Sequence, residues 1–437
     1  MKKYLFLFSF LLLLCSCENE TDVLTDDTID PDLICEDCDI DIVKDSNRLT
    51  QYNQTVTLSQ RGVKSKNTTS KVEDISLILK AKLAPLYITH EEQEVMLNAN
   101  HVSVYGKKIA ASYSLAGEPY SGAVDILYDS GELVNLQGTL LLPHRDIDAV
   151  SLFDSSNLFL GGGFDATEFY GGDHPSFFAG YEFKYNEKSD MLSLQENQVF
   201  HSVFGNKLRN IKSDKSIITG SGGGNSGVIF AFDENTETLI LNESNETNGL
   251  YILDTSIEKR DGLYYFVAIA YNDSTKELKA FSYLISIETN IMTLNYEVSL
   301  GIFDLNVEAK HSLVLPRKDV LVVSLGSEGM GIYKVTTSDD KATATLKHQL
   351  KEEILDTSEP NHVVNSIVYH ADMFYVAAGG AGIYIIPYVT TDVKFDENFY
   401  HVDSDPGISI NNIGRSDDEL VVATTEGISI YQTNGID

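Results

Sequence analysis

Met373-Phe374-Tyr375-Val376-Ala377-Ala378, then Gly379-Gly380-Ala381, then Gly382-Ile383-Tyr384-Ile385-Ile386: two short runs of aromatic and branched residues flank a glycine-rich turn. Val, Ile, Tyr and Phe suit a pleated, half-buried strand, and glycine tolerates the positive φ of a tight connection. The stretch therefore predicts a β-hairpin. Residues 363–369, Val-Val-Asn-Ser-Ile-Val-Tyr, predict an inner strand before it, and the more polar residues 399–402 an outer strand after it.

This four-strand unit recurs. Residues 410–413, 419–424 and 427–431 repeat its first three strands, as do 311–315, 319–325 and 331–335. Runs that alternate apolar and other residues begin at Gly122, Gly180, Gly227, Leu278, Gly331, Gly382 and Gly427, in steps of 58, 47, 51, 53, 51 and 45 residues. A period near 50 in a β-rich chain predicts an all-β fold, a seven-bladed β-propeller with one blade per period. The last period supplies only three strands, so a strand from the N-terminal side must close the ring. Residues 75–79 and 83–88 both qualify by alternation. The 83–88 segment is the preferred candidate, and 72–83 also fits a short helix because Ile75, Ile78 and Leu79 share a helical face.

The N-terminus reads as an address. Lys2 and Lys3 precede an apolar run over residues 4–14, too short to span a bilayer as a helix. Leu14-Cys15-Ser16-Cys17 resembles a bacterial lipobox, which implies a signal peptide over 1–16 and lipidation of Cys17. Glu18-Asn19-Glu20-Thr21-Asp22 resembles the acidic export signal of Bacteroidetes surface lipoproteins. Residues 18–45 hold twelve Asp or Glu against one Lys, a composition that repels itself and buries little. The expected organisation is a disordered acidic tether over 17–74 and a propeller over 75–437. Asp37, Asp39 and Asp41 lack the Gly turn and closing Glu of a calcium loop. Cys35 and Cys38 lack the two further ligands of a zinc site, so a small disulfide or two idle thiols is expected.

Composition narrows the partners. A net charge of −33 argues against nucleic acid and anionic membrane surfaces. The chain has no Trp but 23 Tyr and 20 Phe, which disfavours a dedicated sugar-stacking cleft. No Gly-x-Ser-x-Gly elbow, His-Glu-x-x-His or phosphate loop is present, and nothing calls for a cofactor or a metal. Paired carboxylates would be spatial, Asp165 or Glu168 with Asp304 or Asp254, and the sequence does not select them.

The repeat of apolar run, polar turn, Leu-Val-Val-Ala and Gly-Ile-Tyr, best seen at Leu420-Val421-Val422-Ala423 and Gly382-Ile383-Tyr384, resembles the LVIVD-type repeats of bacterial surface propeller lipoproteins. That resemblance implies a surface propeller, commonly without catalysis, and carries over no functional residue. In propellers, the loops entering the inner strands and the second-to-third-strand loops share one face. Those loops place His144, Arg145, Asp146, Arg209, His311, His362, Asn365, Asn411 and Asn412 at a channel mouth, either as a cationic funnel or as satisfiers of strand-end backbone groups. The glycine-rich residues 161–180 offer Asp165, Glu168, Tyr170, Asp173, His174 and Phe177 on one candidate binding loop. The expected role is a binding scaffold, lipid-anchored in the outer membrane and facing outward. Its partner would be a surface protein such as a TonB-dependent receptor. A glycan-binding or glycan-cleaving propeller and an adhesion protein are the competing readings.

Overall fold

A computed structural model describes residues 40–434 apart from 62–74, 91–92, 116–119, 165–175, 204–207, 215–216, 223–228, 234–237, 242–248, 261–262, 287, 290, 339–340, 357 and 397. It is a seven-bladed β-propeller: seven antiparallel sheets follow one another along the chain. The inner strands, in blade order, are Gln93–Tyr105, Arg145–Leu152, Leu208–Asp214, Tyr251–Arg260, Leu313–Arg317, Ser366–His370 and Ile410–Arg415. Blade six matches the sequence reading closely, with Met373–Ala377, Ile383–Val389 and Phe399–Val402 following its inner strand. The only helical element among the described residues is a 3-10 turn, Ser46–Arg48.

Each blade exposes two apolar faces, and each face is buried against the next blade. The buried apolar residues accordingly fall into seven clusters, one per junction. Val376 and Tyr384 meet Ile332 between blades five and six. Phe159 and Phe178 meet Phe230 and Phe232 between blades two and three, with Phe159 and Phe178 stacked at 5.4 Å.

The closing strand is Ser76–Leu83, not 83–88. It pairs with Gly427–Asn434, from Ile428 opposite Leu83 to Asn434 opposite Ser76. Leu77, Leu79, Ala81 and Leu83 alternate into the core. Pro85 explains the register: it offers no N–H to a ladder, so a strand cannot run from Leu83 across to Ile88. Leu86–His90 instead pairs with the start of the first inner strand, Leu86 opposite Leu97. The short helix considered over 72–83 is absent from its described part, residues 75–83.

The expected tether is partly folded. Asp41–Val43 adds a fifth strand to blade one, Leu49–Val56 to blade seven and Ser59–Arg61 to blade six. The chain thus wraps backwards around the outside of the closing seam. Its apolar residues are few and spaced: Ile40 and Ile42 pack on the core between blades one and two, Leu49 on the seven–one core, and Val56 and Leu58 on the six–seven core. Arg48 is buried, and its guanidinium forks onto the fully buried Asp125 carboxylate at 3.1 and 2.9 Å. Lys80 of the closing strand donates to the fully buried Asp129 of blade one. Cys17, Cys35, Cys38, Asp37 and Asp39 lie outside the described residues.

Candidate functional site

The inner strands of blades one, two, three, four and seven share a device. Each ladder skips one residue near the channel mouth, between Ala99 and His101, Ile147 and Ala149, Leu208 and Asn210, Ile252 and Asp254, and Ile410 and Asn412. A bulge re-aims the side chains beside it. Beside it Asn210, Asp254, Asn411 and Asn412 reach the neighbouring blade, and every junction carries a polar contact. The Ser103 hydroxyl accepts the Leu152 N–H at 2.9 Å, and the Ser151 and Ser213 hydroxyls lie 3.0 Å apart. Asn210 donates to the Thr255 carbonyl at 3.1 Å, and the Asp254 carboxylate accepts the Leu313 N–H at 2.5 Å. Ser312 donates to the Ile367 carbonyl at 3.2 Å, and Asn365 to the Ile410 carbonyl at 2.8 Å. Asn412 accepts the Val102 N–H at 3.0 Å, while Asn411 donates to the Ala99 carbonyl at 2.9 Å.

At the mouth end lies a cavity of about 90 Å³ to which all seven blades contribute, from His101 and Asp148 through Asn210, Asp254, Ser312 and Ser366 to Asn412. A wider cavity of about 550 Å³ continues toward the opposite face. His101, Lys212, Ser366 and Asn412 border both and form the waist of the channel. The upper lining holds Arg209, Lys212 and Lys310 against Asp148, Asp254 and Glu308, so its charges balance in a chain of net charge −33.

Burial governs the titration of these groups. It pushes the Asp254 carboxyl up to about 6, although Lys212 and the Leu313 and Thr255 amides oppose the shift. Burial also holds His101 well below the usual histidine range, reinforced by Lys212 and Lys310, so the ring is neutral. His311 is lowered by burial as well, with its two ring nitrogens facing the Asn306 carbonyl at 3.0 Å and the Ser324 carbonyl at 3.4 Å.

The structure sorts the expected mouth residues into two groups. Arg209, His311, Asn365 and Asn412 do line the upper cavity. Arg209 is braced by the Val307 carbonyl and by Glu308, whose carboxylate it meets at 2.7 Å. Arg145 is not at the mouth. It is buried in blade two, where it donates to the Tyr181 hydroxyl at 3.2 Å and stands 5.8 Å from the Phe177 ring centre. His144 occupies the one-residue turn before it at φ +60°. His362 lines a separate depression between blades five and six, beside Glu352, Tyr384 and His401, and accepts the Asp356 N–H at 3.3 Å.

The proposed blade-two loop shrinks for the same reason. Gly161, Gly162 and Gly163 belong to the strand Asn157–Phe164, and Phe177 is fully buried in the strand Ser176–Asn186. Those glycines are there for packing: a Cβ on Gly162 would stand 1.7 Å from the Asp146 carbonyl oxygen. Asp165, Glu168, Tyr170, Asp173 and His174 lie outside the described residues. Of the carboxylates considered for hydrolysis, Asp304 is exposed beside Lys276 at 3.4 Å, while Asp254 is buried in the channel wall.

Sequence reasoning missed His101, Lys212 and Lys310. A signal existed in the inner strands, where a polar residue stands immediately before an apolar one: His101-Val102, Asn210-Ile211, Ser312-Leu313, Ser366-Ile367 and Asn412-Ile413.

No family model and no curated protein matches this sequence. Among solved structures the chain is similar to Sqt1 from Chaetomium thermophilum, with a TM-score of 0.50 and 11% identity over 77% of this chain and 96% of that one. It is also similar to the WD40 β-propeller domain of Doa1, with a TM-score of 0.48 and 10% identity over 80% of this chain and 96% of that one. At such identity the likeness to Sqt1 speaks for the fold alone, and no argument rests on the likeness to Doa1.

Proposed function

We propose that this propeller is a binding scaffold that engages a protein partner on the mouth face, displayed on the cell surface from a lipid on Cys17. One observation carries the first half: residues from all seven blades converge on one polar, charge-balanced cavity in a strongly acidic chain. A mouth of this kind is the region where an acidic surface repels a partner least. The junction hydrogen bonds hold its walls rigid, which lowers the ordering cost of binding. The lipobox-like Leu14–Cys17 segment and the acidic run after it support the second half, with outer-membrane anchoring and a neighbouring surface protein such as a TonB-dependent receptor as partner.

The two halves are tested separately. A photo-crosslinking residue at Glu308, beside the mouth, should give partner adducts on intact cells, while one at the exposed Lys318 on the opposite face should give none. Adducts from Lys318 alone would reverse the binding face. Cys17→Ser should leave the protein unprocessed and soluble. Replacing Glu18, Glu20 and Asp22 by Ala should retain lipidation but protect the protein from protease added outside the cell. Equal digestion of this variant and the native chain would refute the export role of the acidic run.

A further inference from the structure

The waist of the channel holds groups that its architecture does not use. Lys212 borders both cavities; among the described residues its ammonium makes no hydrogen bond, and its charge acts through space on Asp254 and His101. Arg209 differs, being committed to Glu308 and the Val307 carbonyl, and Lys310 donates to the Asn100 carbonyl. Asn210 is 4% exposed. Its amide nitrogen is tied to the Thr255 carbonyl, which fixes the orientation of the amide and leaves Oδ1 buried without a partner. His101 donates to the Val150 backbone and likewise keeps a buried, unpartnered Nδ1. One cation without a hydrogen bond and two unfilled acceptors therefore border one polar space.

Each property of that space selects against a class of ligand. A metal ion would meet the Lys212 charge. A phosphate dianion would meet Asp148, Asp254 and Glu308 with only one ammonium free of hydrogen bonds to offset it. On the mouth side the room favours a small occupant, since about 90 Å³ is less than the ~150 Å³ of a cavity that holds one benzene. A carboxylate matches Lys212 in charge, and a donor group on the same small molecule would fill both Asn210 Oδ1 and His101 Nδ1 if it is an ammonium and one of them if it is a hydroxyl, acceptors that are costly to leave unmade once water is displaced.

The geometry points to a site for a small carboxylate bearing a hydroxyl or ammonium group on the adjacent carbon, with Lys212 holding the carboxylate and with Asn210 and His101 together receiving an ammonium, or one of them a hydroxyl. This deepens the scaffold reading, since it rests on the mouth being the binding face and gives that face a small-molecule occupant.

Calorimetric titration of the full chain tests it with four probes: lactate, glycine, acetate and inorganic phosphate. Lactate or glycine should bind at least tenfold more tightly than acetate, which lacks the donor, and phosphate no more tightly than acetate. Whichever of lactate and glycine binds better identifies the donor as hydroxyl or ammonium. Lys212→Met should weaken that binding at least tenfold, while Lys351→Met, outside the channel, should leave it unchanged. Equal affinities for lactate, glycine and acetate, tightest binding of phosphate, no heat with any probe, or native affinity in Lys212→Met would each overturn the site. Should Lys212→Met fail to melt cooperatively, the ranking of probes on the native chain decides alone. Silent titrations with adducts still arising from Glu308 would remove the pocket and leave the scaffold, and probe binding without adducts would do the reverse.

Discussion

Blades six, seven and one carry an extra outer layer that blades three, four and five lack among the described residues. On the closing side, the segment from Asp41 to Arg61 supplies a fifth strand to each blade, places apolar side chains on three inter-blade cores and inserts Arg48 beside Asp125. On the other side the fourth strands, Thr238–Leu241, Ile291–Ile302 and Lys341–Leu350, are outermost. Strand Lys341–Leu350 carries Lys341 and Lys347, and charge of this kind discourages another chain from pairing with an open edge. The junction bonds differ as well. Neutral amides, Asn365, Asn411 and Asn412, bridge six to seven and seven to one, whereas the four–five junction relies on the Asp254 carboxylate. A ring closed by a strand from the far end of the chain is weakest at its seam, since only there do adjoining elements lack a short covalent link. The reinforcement sits at that seam.

The comparison breaks most severely at Arg48. Arg48→Ala leaves a fully buried Asp125 without its cation, and removing one partner of a buried pair typically costs ~3–5 kcal/mol. Urea unfolding should show this loss, and a change below ~1 kcal/mol would mean that the wrapped segment is ornamental. Next comes Gly382. It lies at φ +95°, and a Cβ there would stand 2.1 Å from the Val402 carbonyl oxygen. Gly382→Ala should cost about 2–3 kcal/mol by the same measurement, combining a left-handed backbone with the clash.

Asp254→Asn sharpens the contrast from the opposite side, because it should stabilise. The folded-state value of about 6 lies above the ~3.9 of an unfolded aspartate, so the folded chain binds more protons between these values. Stability from this group is present below pH 4 and lost as pH rises through 6. Asp254→Asn keeps an acceptor for Leu313 and should gain about 2 kcal/mol at pH 8 but nothing near pH 4. A gain independent of pH would point to another cause. The smallest effect is expected at Arg209, whose ion-pair partner Glu308 is 68% exposed. Arg209→Ala should change stability by less than about 1 kcal/mol.

The blades were legible because strand pattern and turn chemistry agree in blades five to seven. Even there the repeated glycine misleads by two residues in blade five. The position equivalent to Gly382 and Gly427 is Gly329, at φ +81° with its Cβ direction 2.0 Å from the Leu350 carbonyl oxygen, and not Gly331. The closing strand was legible in principle, since Pro85 excludes the alternative. The wrapped strands were not. Leu49–Val56 reads Leu-Thr-Gln-Tyr-Asn-Gln-Thr-Val, and a strand laid on the outside of a blade needs only its two ends apolar. At the mouth, loop position located Arg209 and His311, but it could not show that Arg145 turns into its own blade toward Tyr181. Nor could it pick out Lys212, four residues inside a strand.

The central claim is that the segment from Asp41 to Arg61 clasps the closing seam. Native-state hydrogen exchange on the full chain and on a chain lacking residues 40–61 tests it directly. Protection should fall at the seam strands Gly427–Asn434 and Ser76–Leu83 and in blades six and one, while blades three to five keep theirs below the global unfolding limit. An even loss around the ring, or no loss at the seam, would contradict the account.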